Sequence, residues 1–318
     1  MSMFTAEIDR DPVVPGTARR NVARGAARIG LANAFSVDVE DYFQVEAFKG
    51  IVDRKSWNEL PGRVEGSTER VLALLDDAGV FGTFFILGWV ATKYPELVRR
   101  IVEGGHEIAS HGFGHDTTHH LSPAEFRNDV RRAKCILEDC AGVRICGFRA
   151  PTFSIGRKTW WAYEVMAEEG YSYSSSIYPI SHDLYGVPDA PRVPFRPISG
   201  CDFVEIPIAT VRLFGRNRPC GGGGYFRLIP YPVSRWCIGR VNRIEGWPCV
   251  FYCHPWEFDP RQPRFHEAPL KSRLRHYLNL SAMEHRVARL LKDHEWGRID
   301  KIFLASGYAS KVAVEWTA

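Results

Sequence analysis

The sequence has no C-x-x-C pair, no apolar run long enough to span a bilayer and no large excess of one charge. Each absence removes a class of protein. Without C-x-x-C, a zinc ribbon or a thioredoxin-like redox motif is disfavoured, and the eight cysteines, spread from Cys135 to Cys253, are expected to be reduced structural thiols. The most apolar stretch, Val80 to Ala91, is interrupted by Gly82 and Gly88 and falls short of a membrane span. Lys plus Arg is 41 against 37 for Asp plus Glu, a net charge of +4 that gives no case for a nucleic-acid partner. The first thirty residues mix Glu7, Asp9 and Asp11 with Arg19, Arg20, Arg24 and Arg28, without an apolar h-region. Residues 1–30 are therefore expected to be a disordered Arg-rich leader, and the protein to be cytoplasmic with no transmembrane segment.

What is present is an ordinary globular composition, 45% hydrophobic and 25% charged over 318 residues, enough to bury a core without staples. From Leu31 short apolar runs alternate with helical patterns. LANAFSVDV (31–39), TFFIL (83–87), HEIAS (106–110), GFRAP (147–151), FVEIP (203–207) and CVFYCH (249–254) read as strands. Between them, Val71, Leu72, Leu75 and Ala78 form one helical face opened by Ser67 or Thr68 and closed by Gly79. Leu97, Val98, Ile101 and Val102 form a second face behind Pro95 and before Gly104. Ser122-Pro-Ala-Glu125 is a capping box ahead of Phe126, Val130, Ala133 and Leu137. A further helix is expected near 158–169 and a long helical tract over 270–293, with KIFLA (301–305) closing the pattern. Alternation of strands and helices predicts an α/β fold with a parallel sheet or a β/α barrel. Residues 178–235, rich in Pro, Gly and Arg and including Gly221 to Gly224, read as long loops.

The candidate chemistry sits at predicted strand ends. Asp38 and Glu40 are two apart and share one face of an extended strand, with Asp41 beside them. Acids following an apolar strand are costly unless a metal ion or a shared proton pairs them. Five of the eleven histidines fall within residues 106–120. His111 and His115 are four apart, and Gly112 and Gly114 favour a tight loop folding both imidazoles toward one point rather than a helix. Two histidines with one carboxylate and open positions form a catalytic metal set. Arg149, in FRAP, can hold a carboxylate in its ionised state. His254, in YCHPWEFDP, can act as a general acid, with Glu257 or Asp259 to orient it. Phe153, Tyr225 and Trp256 are candidates to stack on a sugar ring, although packing is the commoner role of such side chains.

The order of these features, acid cluster, H-x-x-x-H, Arg-x-Pro and a late-strand histidine, resembles the NodB-homology polysaccharide deacetylases, carbohydrate esterase family 4. SHGFGH and FRAP are the most specific parts of a resemblance covering roughly 33–260. HPWEFDP, GGGGYFRL and the helical C-terminal tract resemble the subgroup of exopolysaccharide loci associated with the exosortase/PEP-CTERM system, which carries a C-terminal extension of unknown function. The resemblance implies a distorted (β/α) barrel over 31–260, with the loop-rich insertion near 178–235 and an extension over 261–318 packing on it. It implies Asp38 as catalytic base and Glu40, or alternatively Asp41, with His111 and His115 as ligands of a divalent metal, Zn²⁺. It implies Arg149 as the holder of the base and His254 as the acid. The activity implied is metal-assisted removal of N-acetyl groups from a glycan, with docking to exopolysaccharide machinery. A cyclic-amide hydrolase on the same barrel and a glycan-binding protein without turnover are the alternatives. One departure matters: Ser174 stands where the family has an acid that orients the histidine, so Asp183, Glu257 or Asp259 is expected to substitute.

Overall fold

The fold grows from one strand that has no solvent face. In a computed structural model describing residues 31–317, β1 (Asn33–Val39) is buried along its whole length. Such a strand needs sheet neighbours on both edges and cover on both faces, which is the environment of a parallel sheet or barrel. The other strands are β2 (Thr83–Ile86), β3 (Glu107–Ser110), β4 (Gly147–Phe148), β5 (Tyr173–Ser174), β6 (Phe195–Arg196), β7 (Val204–Glu205), β8 (Thr210–Leu213), β9 (Arg216–Pro219), β10 (Val250–Cys253), β11 (Trp296–Gly297) and β12 (Val314–Glu315). They run in the order β10-β1-β2-β3-β4-β5-β7-β6-β12, with β11 also on β1, while β8 and β9 form a separate hairpin. Pairing within the large sheet is parallel except between β6 and β7.

Irregular chain closes the circle. The Ala209 amide donates to the Val250 carbonyl (3.2 Å), and the Tyr252 amide donates to the Gly221 carbonyl (2.7 Å). The segment between β7 and β10 thus stands where a regular barrel has strands, and the result is a distorted (β/α) barrel. Its outer helices bury the faces expected of them: Val71 and Leu75 on Val64–Ala78, Leu97, Val98 and Ile101 on Pro95–Glu103, and Phe126, Val130, Ala133 and Leu137 on Pro123–Ala141. The capping box of Ser122 and Glu125 forms, and all eight cysteines are free thiols.

Several boundaries differ from the sequence reading, each for a tertiary reason. The first long helix begins at Val64 rather than near Ser67, because the distant Asp41 carboxylate accepts the amides of Arg63 (2.8 Å) and Val64 (3.1 Å). The tract over 270–293 is two helices, Leu270–Tyr277 and Leu280–Asp293, broken at Asn279, whose φ of 52° lies in the left-handed region. The Asn279 side chain donates to the Arg227 carbonyl (2.9 Å), a partner that sequence spacing does not reveal. KIFLA lies in a wide helical turn, Asp300–Ala305. The loop-rich stretch contains β6 to β9 and the helix Gly223–Leu228. Within 261–318, β11 and β12 add to the sheet itself. The leader, residues 1–30, lies outside the described residues.

At the start of β3, Glu107 is buried and accepts from Thr83 Oγ1 (2.6 Å), Tyr173 Oη (2.8 Å) and the Asp300 amide (3.1 Å). Burial, reinforced by the Asp300 carboxylate, pushes its pKa up to about 7. The native chain therefore keeps a proton that the unfolded chain, with a carboxyl near 4.5, has already released. This contribution to stability is complete below the unfolded pKa and is lost as pH rises through the folded one. Glu107→Gln removes the titration. Its stability relative to the parent is expected to improve between about pH 5 and about pH 8 in denaturant melts. A stability difference constant across that window would contradict this account.

Candidate active site

The C-terminal ends of β1, β3, β4 and β10 converge, and the side chains just past them build one buried cluster, on the face where β/α barrels place their chemistry. The extended geometry at the end of β1 puts Asp38 and Glu40 on the same side. Arg149, directly after β4, is fully buried and donates from Nη1 to Asp38 Oδ1 (2.6 Å) and Ser36 Oγ (2.9 Å). Its Nε and Nη2 donate to the carbonyl and hydroxyl of Ser175 (both 2.9 Å). The Phe85 ring lies 4.0 Å from the guanidinium carbon. Every nitrogen of the buried cation is therefore engaged, and the partner carboxylate is fixed in orientation by a charged donor.

One glycine and one strained histidine shape the histidine loop. Gly112 has φ of +77°, and a Cβ there would meet the Asp129 carboxylate at 2.8 Å. His115 itself takes φ of 57°, an uncommon conformation for a residue with a side chain, and this turns its ring back toward His111. Nδ1 of His111 lies 2.8 Å from the Arg149 carbonyl, so the ring donates there and leaves Nε2 as a lone pair. Burial pushes the His111 pKa down to about 4, keeping that ring neutral.

Glu40, His111 and His115 each offer a ligand atom, and these atoms lie within 4.8 Å of one another. Glu40 Oε2 is 2.8 Å from His115 Nε2, yet it is buried without an aligned hydrogen-bond donor. A carboxylate oxygen and an imidazole nitrogen that close and unaligned fit a shared cation, so the residues present suit a divalent metal. Burial alone would raise the Glu40 pKa, but the charge of the close-lying His115, followed by those of His254 and His111, brings it down to about 2. Asp41 is not in this cluster. Its carboxylate accepts the amides of Tyr42, Arg63 and Val64, which turns it toward the helix start.

His254, directly after β10, points Nε2 at both acids, 3.7 Å from Glu40 Oε1 and 4.0 Å from Asp38 Oδ2. Its Nδ1 lies 2.8 Å from Glu257 Oε1. Burial would lower its pKa, but the Glu257 hydrogen bond and the charges of Glu40, Glu257 and Asp38 raise it to about 9. Of the three acids considered as substitutes at Ser174, only Glu257 reaches the ring. Asp183 pairs at the surface with Lys271 and Arg275, and Asp259 pairs with Arg63. Ser174 itself lies 2.7 Å from Ser176 Oγ.

The aromatic candidates divide. Phe153 is buried against Tyr252 (centroids 4.8 Å apart), and Trp256 is stacked between His254 (5.0 Å) and His276 (4.1 Å) while donating to Glu40 Oε1 (3.2 Å). Neither keeps much face for a ligand, whereas Tyr225 remains half-buried beside Tyr178 and His182. Sequence reasoning missed Ser36 and Ser175, which complete the Arg149 shell, and Arg227, which binds Glu257 (2.7 Å). None carries a local signal, since each acts through a partner more than 25 residues away in the chain: 113, 26 and 30 residues respectively.

Residues 56–173 match the polysaccharide deacetylase family model, and residues 175–304 match a domain of unknown function, DUF3473. A peptidoglycan deacetylase-like protein of Gibberella zeae is 30% identical over 118 residues, 36% of this chain and 34% of the relative. A chitooligosaccharide deacetylase of Bradyrhizobium is 35% identical over 101 residues, 31% of this chain and 43% of the relative. The chain thus spans less than half the length of these relatives. A solved structure from Mycobacterium smegmatis, described as a candidate polysaccharide deacetylase, superposes with a TM-score of 0.59 at 21% identity, covering 90% of this chain and 93% of that one. That likeness establishes the fold, a NodB-type barrel.

The two neighbouring acids are expected to separate by variant. Glu40→Gln should weaken Zn²⁺ binding, read by calorimetry, by more than the roughly 10- to 100-fold that changes outside the ligand shell cost. Asp41→Asn should leave Zn²⁺ affinity unchanged and lower stability by about 1–2 kcal/mol through its lost amide partners. Loss of metal on Asp41→Asn alone would reverse the assignment.

Proposed function

We propose that this chain, related through residues 56–173 to the NodB-type polysaccharide deacetylases, removes N-acetyl groups from a glycan by metal-dependent hydrolysis. The observation that carries the reading is the convergence of an Arg-held carboxylate, a Glu/His/His triad and a late-strand histidine within one buried cluster. Glu40, His111 and His115 would hold the cation. When bound there, a divalent metal, in our reading Zn²⁺, supplies Lewis-acid polarisation of the acyl oxygen and a more acidic water.

The chain's own residues do the rest. Asp38, with Oδ1 committed to Arg149, keeps Oδ2 free to accept the proton of the attacking water. Arg149 fixes that carboxylate in orientation without entering the reaction. His254 carries a proton on Nε2, on the same side as both acids, and delivers it to the leaving amine as the C–N bond breaks. Water thus divides between the products: the hydroxyl goes to acetate and the proton to the amino sugar.

A cavity of about 480 Å³ adjoins His115 and is lined by residues including Gln44, Lys49, Arg54 and Trp57. Its mixed polar and aromatic lining suits a sugar next to the reacting one. The related proteins are named for peptidoglycan and chitooligosaccharide, both N-acetylated, and we assign this chain the same substrate class. The proposal extends to its setting: exopolysaccharide biosynthesis of the exosortase/PEP-CTERM subgroup, in the cytoplasm, docked to that machinery. Among the described residues no helix is long and apolar enough to cross a membrane.

The test is acetate release from N-acetylated oligosaccharides by metal-stripped protein, with and without added Zn²⁺. Release should require the metal and fall by about 100-fold or more in Asp38→Asn. Tight Zn²⁺ binding without acetate release from any such glycan would move the chain to the cyclic-amide or glycan-binding reading.

A further inference from the structure

The glycine run and the C-terminal helices, left without a role by the reaction as described, meet at Glu257. Both carboxylate oxygens of this fully buried acid are used. Oε1 accepts from the amide (3.0 Å) and lies 2.8 Å from Nδ1 of His254, while Oε2 accepts from Arg227 Nε (2.7 Å). The space for it comes from Gly223, where a Cβ would lie 2.2 Å from Oε1 and 2.5 Å from Oε2. Gly221 and Gly222 fit the same backbone against β10, since Cβ atoms there would meet the Val250 carbonyl at 2.3 Å and the Tyr252 ring at 2.8 Å. The glycines are therefore a packing device that brings Arg227 and Glu257 together.

Arg227 is itself buried and is aimed by the C-terminal region. Its guanidinium donates to the carbonyls of Arg275 (3.0 Å), His276 (3.0 Å) and Leu278 (2.5 Å). These carbonyls end the helix Leu270–Tyr277, and the left-handed Asn279 that breaks the tract keeps them free of a following helical turn. Asn279 and Arg286 then bind the Arg227 carbonyl (both 2.9 Å). The path runs unbroken from the broken helix to Arg227, to Glu257 and to Nδ1 of His254.

We infer that Glu257 is the positioning residue for the proposed catalytic acid His254, and that the 175–304 region of unknown function serves to hold Glu257 in place through Arg227. Glu257 stands in for the acid missing at Ser174: it fixes the tautomer with Nδ1–H toward itself, so the transferable proton sits on Nε2, facing the reacting centre. The inference rests on the deacetylase reading above, but its geometry can be tested separately.

The experiment compares the Zn²⁺-loaded parent with Glu257→Gln and Arg227→Lys, each checked for folding by circular dichroism. An amide needs its leaving nitrogen protonated, whereas para-nitrophenyl acetate releases a phenolate that needs no acid. Glu257→Gln should lower kcat for the N-acetylated glycan by about 10- to 100-fold with little change in KM, and lower ester hydrolysis by at least tenfold less. The downfield proton resonance of His254 Nδ1–H should be lost. Arg227→Lys, which keeps the charge but not the fork, should show the same selective pattern more weakly. Should Glu257→Gln not fold, Glu257→Asp, whose charge is retracted by one methylene, carries the same expectation. Equal losses on amide and ester, or an amide kcat within about twofold of the parent, would overturn the role of Glu257. A parent-like Arg227→Lys would overturn the role of the C-terminal region. If the parent deacetylates no glycan, the deacetylase reading fails, and the resonance alone still decides whether Glu257 holds the ring.

Discussion

The buried pair of Arg149 and Asp38 is the constraint around which the C-terminal face of the barrel is arranged. Taking a guanidinium and a carboxylate out of water costs several kcal/mol per ion, and their attraction offsets this only when geometry is good and the remaining donors are satisfied. The fold meets that condition by drawing Ser36 from β1 and Ser175 from the residue after β5, and by laying the Phe85 ring against the guanidinium. The same Arg149 offers its carbonyl to Nδ1 of His111. One residue therefore sets both the orientation of the proposed base and the tautomer of a proposed ligand, and the two functions cannot be tuned apart.

A second consequence is electrostatic. Asp38 and Glu40 lie on one strand face with His254 about equally far from each, at 4.0 Å and 3.7 Å. Two buried acids on one face need compensating partners on both sides. Arg149 provides one for Asp38 permanently. For Glu40 the arrangement leaves a neutral His111, a His115 close but unaligned, and a buried oxygen without a donor. This asymmetry, one acid locked by a fixed cation and one left with a buried oxygen without a donor, is what separates the proposed base from the proposed ligand in otherwise similar carboxylates.

Much of this was legible in the sequence because it is written in local pattern. Strand ends, the period-two relation of Asp38 to Glu40, the glycines flanking His111 and the capping box at Ser122 all report on neighbours within a few residues. What was not legible depends on distant partners. The helix at Val64 starts early because Asp41 reaches it across 22 and 23 positions. The tract over 270–293 breaks because Arg227, 52 positions away, takes the side chain of Asn279. Phe153 and Trp256 were drawn to the site by their type and arrive there as packing, since an aromatic side chain at a strand end finds buried surface more readily than ligand.

The same distinction bears on how the chain divides. The two family matches meet between residues 173 and 175, as if the deacetylase region ended and another module began. The barrel does not respect that border. β10, immediate neighbour of β1, comes from the second match, and so do His254 and Glu257, while Asp38 and Glu40 precede the start of the first match at residue 56. A parallel barrel closes only when a late strand returns to the first, so its last-placed chemistry must come from sequence far from its first. The second region is on this view the closing segment of the barrel, and its glycine run, its buried arginine and its broken helix follow from having to deliver a correctly held histidine to acids more than two hundred residues earlier, since Trp256 and Glu40 alone are separated by 216 positions.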